Sequence, residues 1–167
     1  MSTEDSMAAE LLVLVGAPGA GKSTYAGALD GYRIISAEGI REAITGDRDD
    51  MSQEEEVWEY VIMGAEASLR AGENVVVDAP NTTRDERARL VELAEEHGAK
   101  ATCVVFWMDE ASCLTNLRNR ARKDNGRVDS MEEDRVRQMV RNLERWPPRP
   151  DEGFAEVTEK GRRTGAK

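Results

Sequence analysis

The sequence predicts an α/β protein built on a parallel sheet of about four or five strands with helices on both faces. Two observations carry this prediction. Short apolar runs alternate along the chain with longer segments whose apolar residues recur at helical spacing. Parallel strands need crossover connections, and the intervening helices supply them. Because ligands of such sheets bind at the carboxyl ends of the strands, the polar residues that follow each strand are the candidates for a site.

The individual elements follow in order. Strands are predicted at about 11–15, 33–36, 74–77, 101–108 and 154–158. Helices are predicted at about 22–29, 39–45, 53–70, 84–97, 110–123 and 131–146, and the last four are expected to start at the capping residues Ser52, Thr83, Asp109 and Ser130. Residues 1–10 are expected to form a flexible leader, residues 11–159 a single domain, and residues 160–167 a disordered tail.

Composition narrows the class of protein. A chain of 167 residues, 40% of them hydrophobic, suits one domain with one core. No apolar run approaches the ~20 residues that span a bilayer, and the acidic N-terminus is no secretion signal, so we expect a cytoplasmic protein without a membrane segment. Cys103 and Cys113 are expected to be buried thiols rather than a disulfide. The single histidine, His97, precedes Gly98 and is expected to end a helix rather than to catalyse.

Charge is unevenly distributed. The net charge of −10 argues at first against a nucleic-acid partner. Between residues 117 and 149, however, ten basic residues against six acidic ones give a local charge of +4, which leaves −14 for the rest of the chain. The positive charge is therefore gathered in one region, whereas solvated helix faces account for most of the acidic remainder.

A glycine-rich segment follows the first strand and matches the phosphate-loop pattern G-x-x-x-x-G-K-[ST]. Its expected triphosphate-binding residues are Gly16, Pro18, Gly19, Ala20, Gly21, Lys22, Ser23 and Thr24. Gly16, Gly19 and Gly21 are expected to adopt positive φ, so that backbone N–H groups point at phosphate oxygens. Lys22 is expected to contact the outer phosphates and the Ser23 hydroxyl to ligate Mg²⁺. The alternative is an ordinary glycine turn between a strand and a helix.

Two further strand ends add polar groups to the same edge. Asp78 follows an apolar strand and is expected to be the second Mg²⁺ anchor, with a strand-end turn as the alternative. Asn81 and Thr82, just beyond it, are expected to face the crevice and contact substrate, as is Ser36 at the end of the second strand. The three strand ends should converge into one site.

Glu38 and Arg41 lie three residues apart after the second strand, hence on one face of a helical turn. A carboxylate that takes a hydroxyl proton and a guanidinium that holds a substrate phosphate are what a hydroxyl-directed kinase adds to its ATP site. Glu38 is therefore predicted to be the general base and Arg41 the substrate clamp. The alternative is an exposed ion pair at the start of a helix.

An arginine-rich helix end is predicted to form a lid at about 118–130. Arg118 and Arg122 share a helix face, and we expect them to bind the triphosphate and stabilise the transferred phosphoryl group. Arg120 points about 200° away from Arg118 and is assigned to solvent. A solvated basic face is the alternative for the whole series.

With these segments in place, the chain resembles the kinase domain of phage and bacterial polynucleotide 5′-hydroxyl kinases. The resemblance rests on G-A-P-G-A-G-K-S-T, I-S-A-E-G-I-R, V-V-V-D-A-P-N-T-T, L-R-N-R-A-R and E-G-F-A-E-V. It implies a P-loop NTPase-type fold, ATP and Mg²⁺ as cofactors, and 5′-OH ends of DNA or RNA as substrate. It also implies that Arg41 holds the substrate's 3′-phosphate and that Arg118 and Arg122 belong to the lid.

The chain departs from that family at two positions. Glu38 stands where the family usually has an aspartate base, and Pro80 stands where threonine is commoner. No companion phosphatase or ligase motif is found, so we expect a stand-alone kinase, and the sequence identifies no protein partner. Two alternatives stay open: a kinase for another hydroxyl, on a small metabolite, nucleoside, antibiotic or hydroxymethylated DNA base, and an NTP-dependent switch without phosphotransfer. The Glu38 and Arg41 pair argues against the switch.

Overall fold

The protein folds as a five-stranded, wholly parallel sheet flanked by helices, in a computed structural model that describes residues 8–163. The strands are β1 Glu10–Val15, β2 Tyr32–Ser36, β3 Asn74–Asp78, β4 Lys100–Trp107 and β5 Glu156–Gly161, in the spatial order β2-β3-β1-β4-β5. The helices are α1 Lys22–Gly27, α2 Ala37–Thr45, α3 Glu54–Arg70, α4 Arg84–Glu96, α5 Glu110–Lys123 and α6 Ser130–Arg145. The predicted fold class is confirmed.

Two apolar layers cover the two faces of the sheet. On one face, alternate β1 residues Leu11, Val13 and Val15 pack with α3 and α4. On the other face, Leu12 and Leu14 pack with α1, α5 and α6. The apolar runs of β1, β3 and β4 are continuous rather than alternating because helices bury both of their sides.

The strand register aligns the residues that leave the sheet. Ser36 of β2 lies opposite Asp78 of β3, and Val15 of β1 lies opposite Val105 of β4. The loops after β1, β2 and β3 therefore start at the same edge, as the sequence predicted.

Two of the four capping residues predicted from the sequence are observed. Thr83 Oγ1 accepts the Glu86 backbone N–H, and Asp109 Oδ1 accepts that of Ser112. The cap predicted at Ser52 is wrong: Asp50 caps a 3₁₀ turn at Met51–Gln53, and α3 starts after that turn.

The start of α6 and both chain ends also differ from expectation. Asp129, not Ser130, caps α6, because its carboxylate accepts the Glu132 N–H at 2.9 Å. β1 begins within the predicted leader and β5 extends into the predicted tail, whereas residues 1–7 and 164–167 lie outside the described residues. Across residues 8–163, no helix is long and apolar enough to cross a membrane.

The two cysteines and the histidine lie as the sequence predicted. Cys103 and Cys113 are buried and free, and burial raises the pKa of Cys103 to about 12 and that of Cys113 to about 11. Both therefore remain neutral thiols at physiological pH. His97 is the residue that ends α4.

Candidate active site

Two glycines in the loop between β1 and α1 adopt the left-handed backbone conformation. Gly19 has φ 88° and Gly21 has φ 102°, as predicted for a backbone that turns its N–H groups inward. The positive φ predicted for Gly16 is wrong. A Cβ at this position would lie 3.1 Å from the Cβ of Phe106. The close packing of the loop against β4 is therefore the reason for a glycine here.

Lys22, Ser23 and Asp78 meet beneath this loop. Ser23 Oγ donates a hydrogen bond to Asp78 Oδ2 at 2.8 Å, so the structure brings together the two residues predicted to anchor Mg²⁺. Lys22 is only 7% exposed, and its Nζ donates to the Ala17 carbonyl at 3.1 Å. The side chains predicted to hold phosphate and metal therefore converge at one point.

Burial lowers the pKa of Lys22 from 10.5 to about 8, although the nearby Asp78, Cys113 and Glu38 raise it in part. A buried amine with this pKa pays a desolvation cost when charged, and an incoming phosphate would offset that cost. The charge of Lys22 therefore suits the binding of an anion and does not itself stabilise the fold.

This pKa gives the first prediction, which concerns stability in the absence of nucleotide. Between pH 8 and 10.5 the unfolded chain holds the Lys22 proton and the folded chain does not, so the free energy of unfolding rises with pH in that window. We expect Lys22→Met to be more stable than the wild type at pH 7, with the difference shrinking as pH rises from about 8 to 10.5. Urea titrations in phosphate-free buffer measure this difference, and an equal difference at both ends of the window would contradict the low pKa.

An open cleft of about 1000 Å³ lies in front of the loop. Of the residues predicted from the sequence, those that line it are Pro18, Gly19, Gly21, Lys22, Ser23, Thr24, Ser36, Glu38, Arg41 and Asp78. Gly16, Ala20, Asn81, Thr82, Arg118 and Arg122 are not among the lining residues. The Ser36 side chain also accepts the Gly39 backbone N–H at 3.0 Å and so caps α2.

Asn81 and Thr82 do not face the crevice, contrary to expectation. Asn81 is 0% exposed, has φ 49°, and donates from Nδ2 to the Leu14 carbonyl at 2.8 Å. Its backbone carbonyl accepts from the buried Arg87 at 3.2 Å. Asn81 therefore links the end of β3 to β1 through a hydrogen bond and has a structural role beside the site.

Glu38 and Arg41 do not pair with each other. The Arg41 guanidinium donates from Nε and Nη2 to the Glu54 carboxylate, the latter at 3.0 Å, and from Nη1 to the Arg48 carbonyl at 3.0 Å. Its side chain is 12% exposed. The partner, Glu54, was missed, and its only sequence signal is its place in the acidic first turn of α3.

Arg120 lies on the predicted lid helix and lines the cleft, and both of its terminal nitrogens donate to the Glu38 carboxylate. Arg120 is exposed, as expected for a solvated face, but it pairs with a residue of the cleft rather than pointing away from the site. Arg118 instead donates to Glu133 at 2.8 Å, and Arg122 is exposed away from the cleft lining.

The packing of α5 explains why Arg120 lines the cleft and Arg118 and Arg122 do not. Asn116 Nδ2 donates to the Gly19 carbonyl at 2.8 Å, which fixes the face of α5 that meets the phosphate loop. Arg120 lies one helical turn beyond Asn116 on that same face. Helical spacing shows which arginines share a face, but not which face meets the loop.

Three further lining residues were missed as site residues. Arg127 and Arg135 line the cleft and form no ion pair within residues 8–163. Glu132, on the same side, has a pKa raised by burial and by the carboxylates of Asp49 and Asp129. Arg127 lies within the predicted lid at 118–130, and that position was the signal available in the sequence.

The residues of the loop fit a nucleoside triphosphate with its Mg²⁺. A Cβ on Gly21 would meet nothing within 4 Å, so the left-handed backbone rather than crowding requires glycine there. Ser23 and Asp78 supply a hydroxyl and a carboxylate, which are oxygen ligands of the kind Mg²⁺ prefers.

Comparisons with known proteins agree with this geometry. The sequence profile described as "AAA domain" matches residues 11–146. A chain of the Pnkp1/Rnl/Hen1 RNA repair complex matches with TM-score 0.70 and 24% identity, over 82% of this chain and 44% of that one. The protein thus spans less than half the length of that relative.

Two other solved structures match along most of their length. A candidate kinase from Chloroflexus aurantiacus has TM-score 0.71 and 15% identity, over 91% of this chain and 84% of that one. A gluconokinase from Sinorhizobium meliloti 1021 has TM-score 0.58 and 20% identity, over 90% and 81%. These two matches confirm the P-loop kinase fold.

Proposed function

The chain belongs to the AAA domain family, and from that membership and the cleft geometry we propose that it is an ATP-dependent polynucleotide 5′-hydroxyl kinase. The observation that carries the proposal is the position of Glu38. This carboxylate lines the same cleft as Lys22 and Ser23 and is near enough to Lys22 to raise its pKa. A proton acceptor thus faces the phosphate-binding loop across a space open to an acceptor hydroxyl.

In the proposed reaction, Glu38 takes the proton of the 5′-OH as its oxygen attacks the γ-phosphorus. The bond from that phosphorus to the β–γ bridging oxygen breaks, and the nucleoside diphosphate leaves. Lys22 and the loop N–H groups hold the phosphates. Arg120, Arg127 and Arg135 line the cleft and would offset charge on the transferred group. Ser23 and Asp78 would hold Mg²⁺, which when bound neutralises charge on the phosphate oxygens.

Arg41 retains capacity to bind an acceptor phosphate. A guanidinium has five N–H donors, and three of those of Arg41 are used within the protein. The remaining two belong to Nη1 and Nη2, on a side chain that lines the cleft. Its pair with Glu54 holds the guanidinium in place, so we assign it the phosphate next to the reacting hydroxyl.

A second candidate function is phosphorylation of a small neutral or cationic hydroxyl compound. Glu42, Asp47 and Asp49 line the acceptor side of the cleft, where the charge of Arg48 is already matched by Asp124 at 2.5 Å. Such a wall repels a polyanion. This charge distribution is the specific reason to keep the alternative.

A panel of acceptors separates the two functions. Purified protein with γ-labelled ATP and Mg²⁺ is offered 5′-OH DNA and RNA oligonucleotides, nucleosides and a cationic aminoglycoside. The proposal expects label on an oligonucleotide, with a rate that falls steeply as salt is added. Label on a small compound alone, at a rate insensitive to salt, would instead establish the second candidate.

Arg120 gives a prediction that the sequence alone did not make. Its guanidinium donates to Glu38 and lines the cleft in which the proposed transfer takes place. We expect Arg120→Ala to lower kcat by about 10²-fold, the effect of losing one charge-stabilising donor. Arg118→Ala, matched in charge and helix, should change kcat by less than about twofold. Equal losses in both variants would contradict the placement of Arg120.

A further inference from the structure

The helices α3 and α4 end close together, at the edge of the sheet opposite the cleft. α3 runs into the start of β3, and α4 runs into the start of β4. Glu66 lies one turn before the end of α3, while Glu96 and His97 end α4. Three side chains with metal-ligating atoms are therefore gathered from two helices.

We propose that Glu66, Glu96 and His97 form a binding site for a divalent transition metal, with Zn²⁺ as the best match. One ligand atom from each side chain lies within 4.8 Å of the other two. His97 Nε2 is 3.3 Å from Glu66 Oε2, about the separation of two ligands on one zinc ion. His97 is the chain's only histidine.

The donor set selects the class of metal. One imidazole and two carboxylates suit zinc, whereas Mg²⁺ prefers oxygen ligands alone. Two carboxylates also balance the charge of a divalent ion. The carbonyl ends of α3 and α4 carry partial negative charge, which favours a cation at this point.

Arg70 is the group that competes with a metal here. It pairs with Glu66 Oε1 at 3.1 Å, but its side chain is 68% exposed and can turn into solvent when a metal takes that carboxylate. This pair is an exposed i,i+4 contact, worth only about 0.3–0.5 kcal/mol. Coordination of the Glu66 carboxylate to a metal would stabilise the protein by more than this pair does.

The site would stabilise the fold rather than act in catalysis. Its ligands join two helices that pack on one face of the sheet, where Arg89 of α4 also lies 5.7 Å from the ring of Trp58 on α3. Metal that binds only the folded chain raises its stability by mass action. The site lies at the opposite end of the strands from Lys22.

The test uses the full chain without an affinity tag, in a buffer that does not chelate metal. Calorimetric titration with ZnCl₂ should give one saturable equivalent, and zinc at ten times Kd should raise Tm by about 3–6 °C. Co²⁺ bound in its place should show ligand-field bands without thiolate charge transfer, which excludes the two cysteines as ligands. MgCl₂ at the same concentration should leave Tm unchanged.

Variants decide whether these residues are the ligands. His97→Ala and Glu66→Gln should each weaken zinc binding by about tenfold or more. Asp85→Asn, which removes an exposed carboxylate at the other end of α4, should bind as the wild type does. Zinc affinity unchanged in both ligand variants, or no saturable binding to the wild type, would overturn the proposal. The metal-free Tm of each variant shows whether it is folded.

Discussion

Lys22→Met should abolish measurable phosphoryl transfer, lowering kcat/KM by about 10³-fold or more. The variant keeps the length and apolar stem of the side chain but loses the charge that the loop brings to the outer phosphates. Because Lys22 is buried and its charged form is disfavoured before nucleotide binds, the fold itself should not depend on it. The loss should therefore appear in activity, while the melting temperature stays at or above that of the wild type. Labelled phosphate transfer and a melting curve on the same sample measure both.

Lys123→Met is the matched control, since that lysine lies at the exposed end of α5. It should transfer phosphate at close to the wild-type rate. An active Lys22→Met protein would mean that the glycine loop binds something other than the phosphates of the reacting nucleotide.

Glu38→Gln should lower kcat by about 10²- to 10⁴-fold, the range expected when a general base is removed. Glutamine preserves the shape of the side chain and can still accept a hydrogen bond from Arg120, but it does not take the hydroxyl proton. Nucleotide affinity should not fall, because the carboxylate that is removed has the same sign of charge as the triphosphate. Rapid-mix measurement of kcat beside equilibrium binding of a nonhydrolysable ATP analogue separates the two effects.

The control for Glu38 lies one turn further along α2. Glu42 also lines the cleft and is exposed, so Glu42→Gln removes the same charge from the same wall. It should leave kcat within about threefold of the wild type. A Glu38→Gln protein with a rate in that same range would remove Glu38 from the role of base.

The sequence predicted the fold well because its strongest signals are independent of tertiary detail. The apolar runs of β1 and β3 are short and buried on both sides, which is the pattern of a strand in a parallel sheet. The rule that ligands sit at strand ends then placed Ser23 near Asp78, and the two are hydrogen-bonded. Local pattern and topology were sufficient for these features.

The charged residues were harder to predict because an ion pair depends on where two distant segments meet. Arg120 pairs with Glu38, which is 82 residues away in the sequence. This pair depends on how α5 packs against the rest of the fold, and no local pattern encodes that packing. Arg41 turns to Glu54 rather than to Glu38 on its own helix. Asn81 carries a polar side chain at a strand exit, yet its positive φ directs the side chain into the interior.

The most direct test of the central claim locates the transferred phosphate. After incubation with γ-labelled ATP, a 5′-OH oligonucleotide is digested to mononucleotides and its terminal nucleotide is isolated. The account predicts the label as a nucleoside 5′-phosphate from that end with the wild type, and none with Lys22→Met. Label found only as inorganic phosphate, whichever acceptor is present, would contradict it.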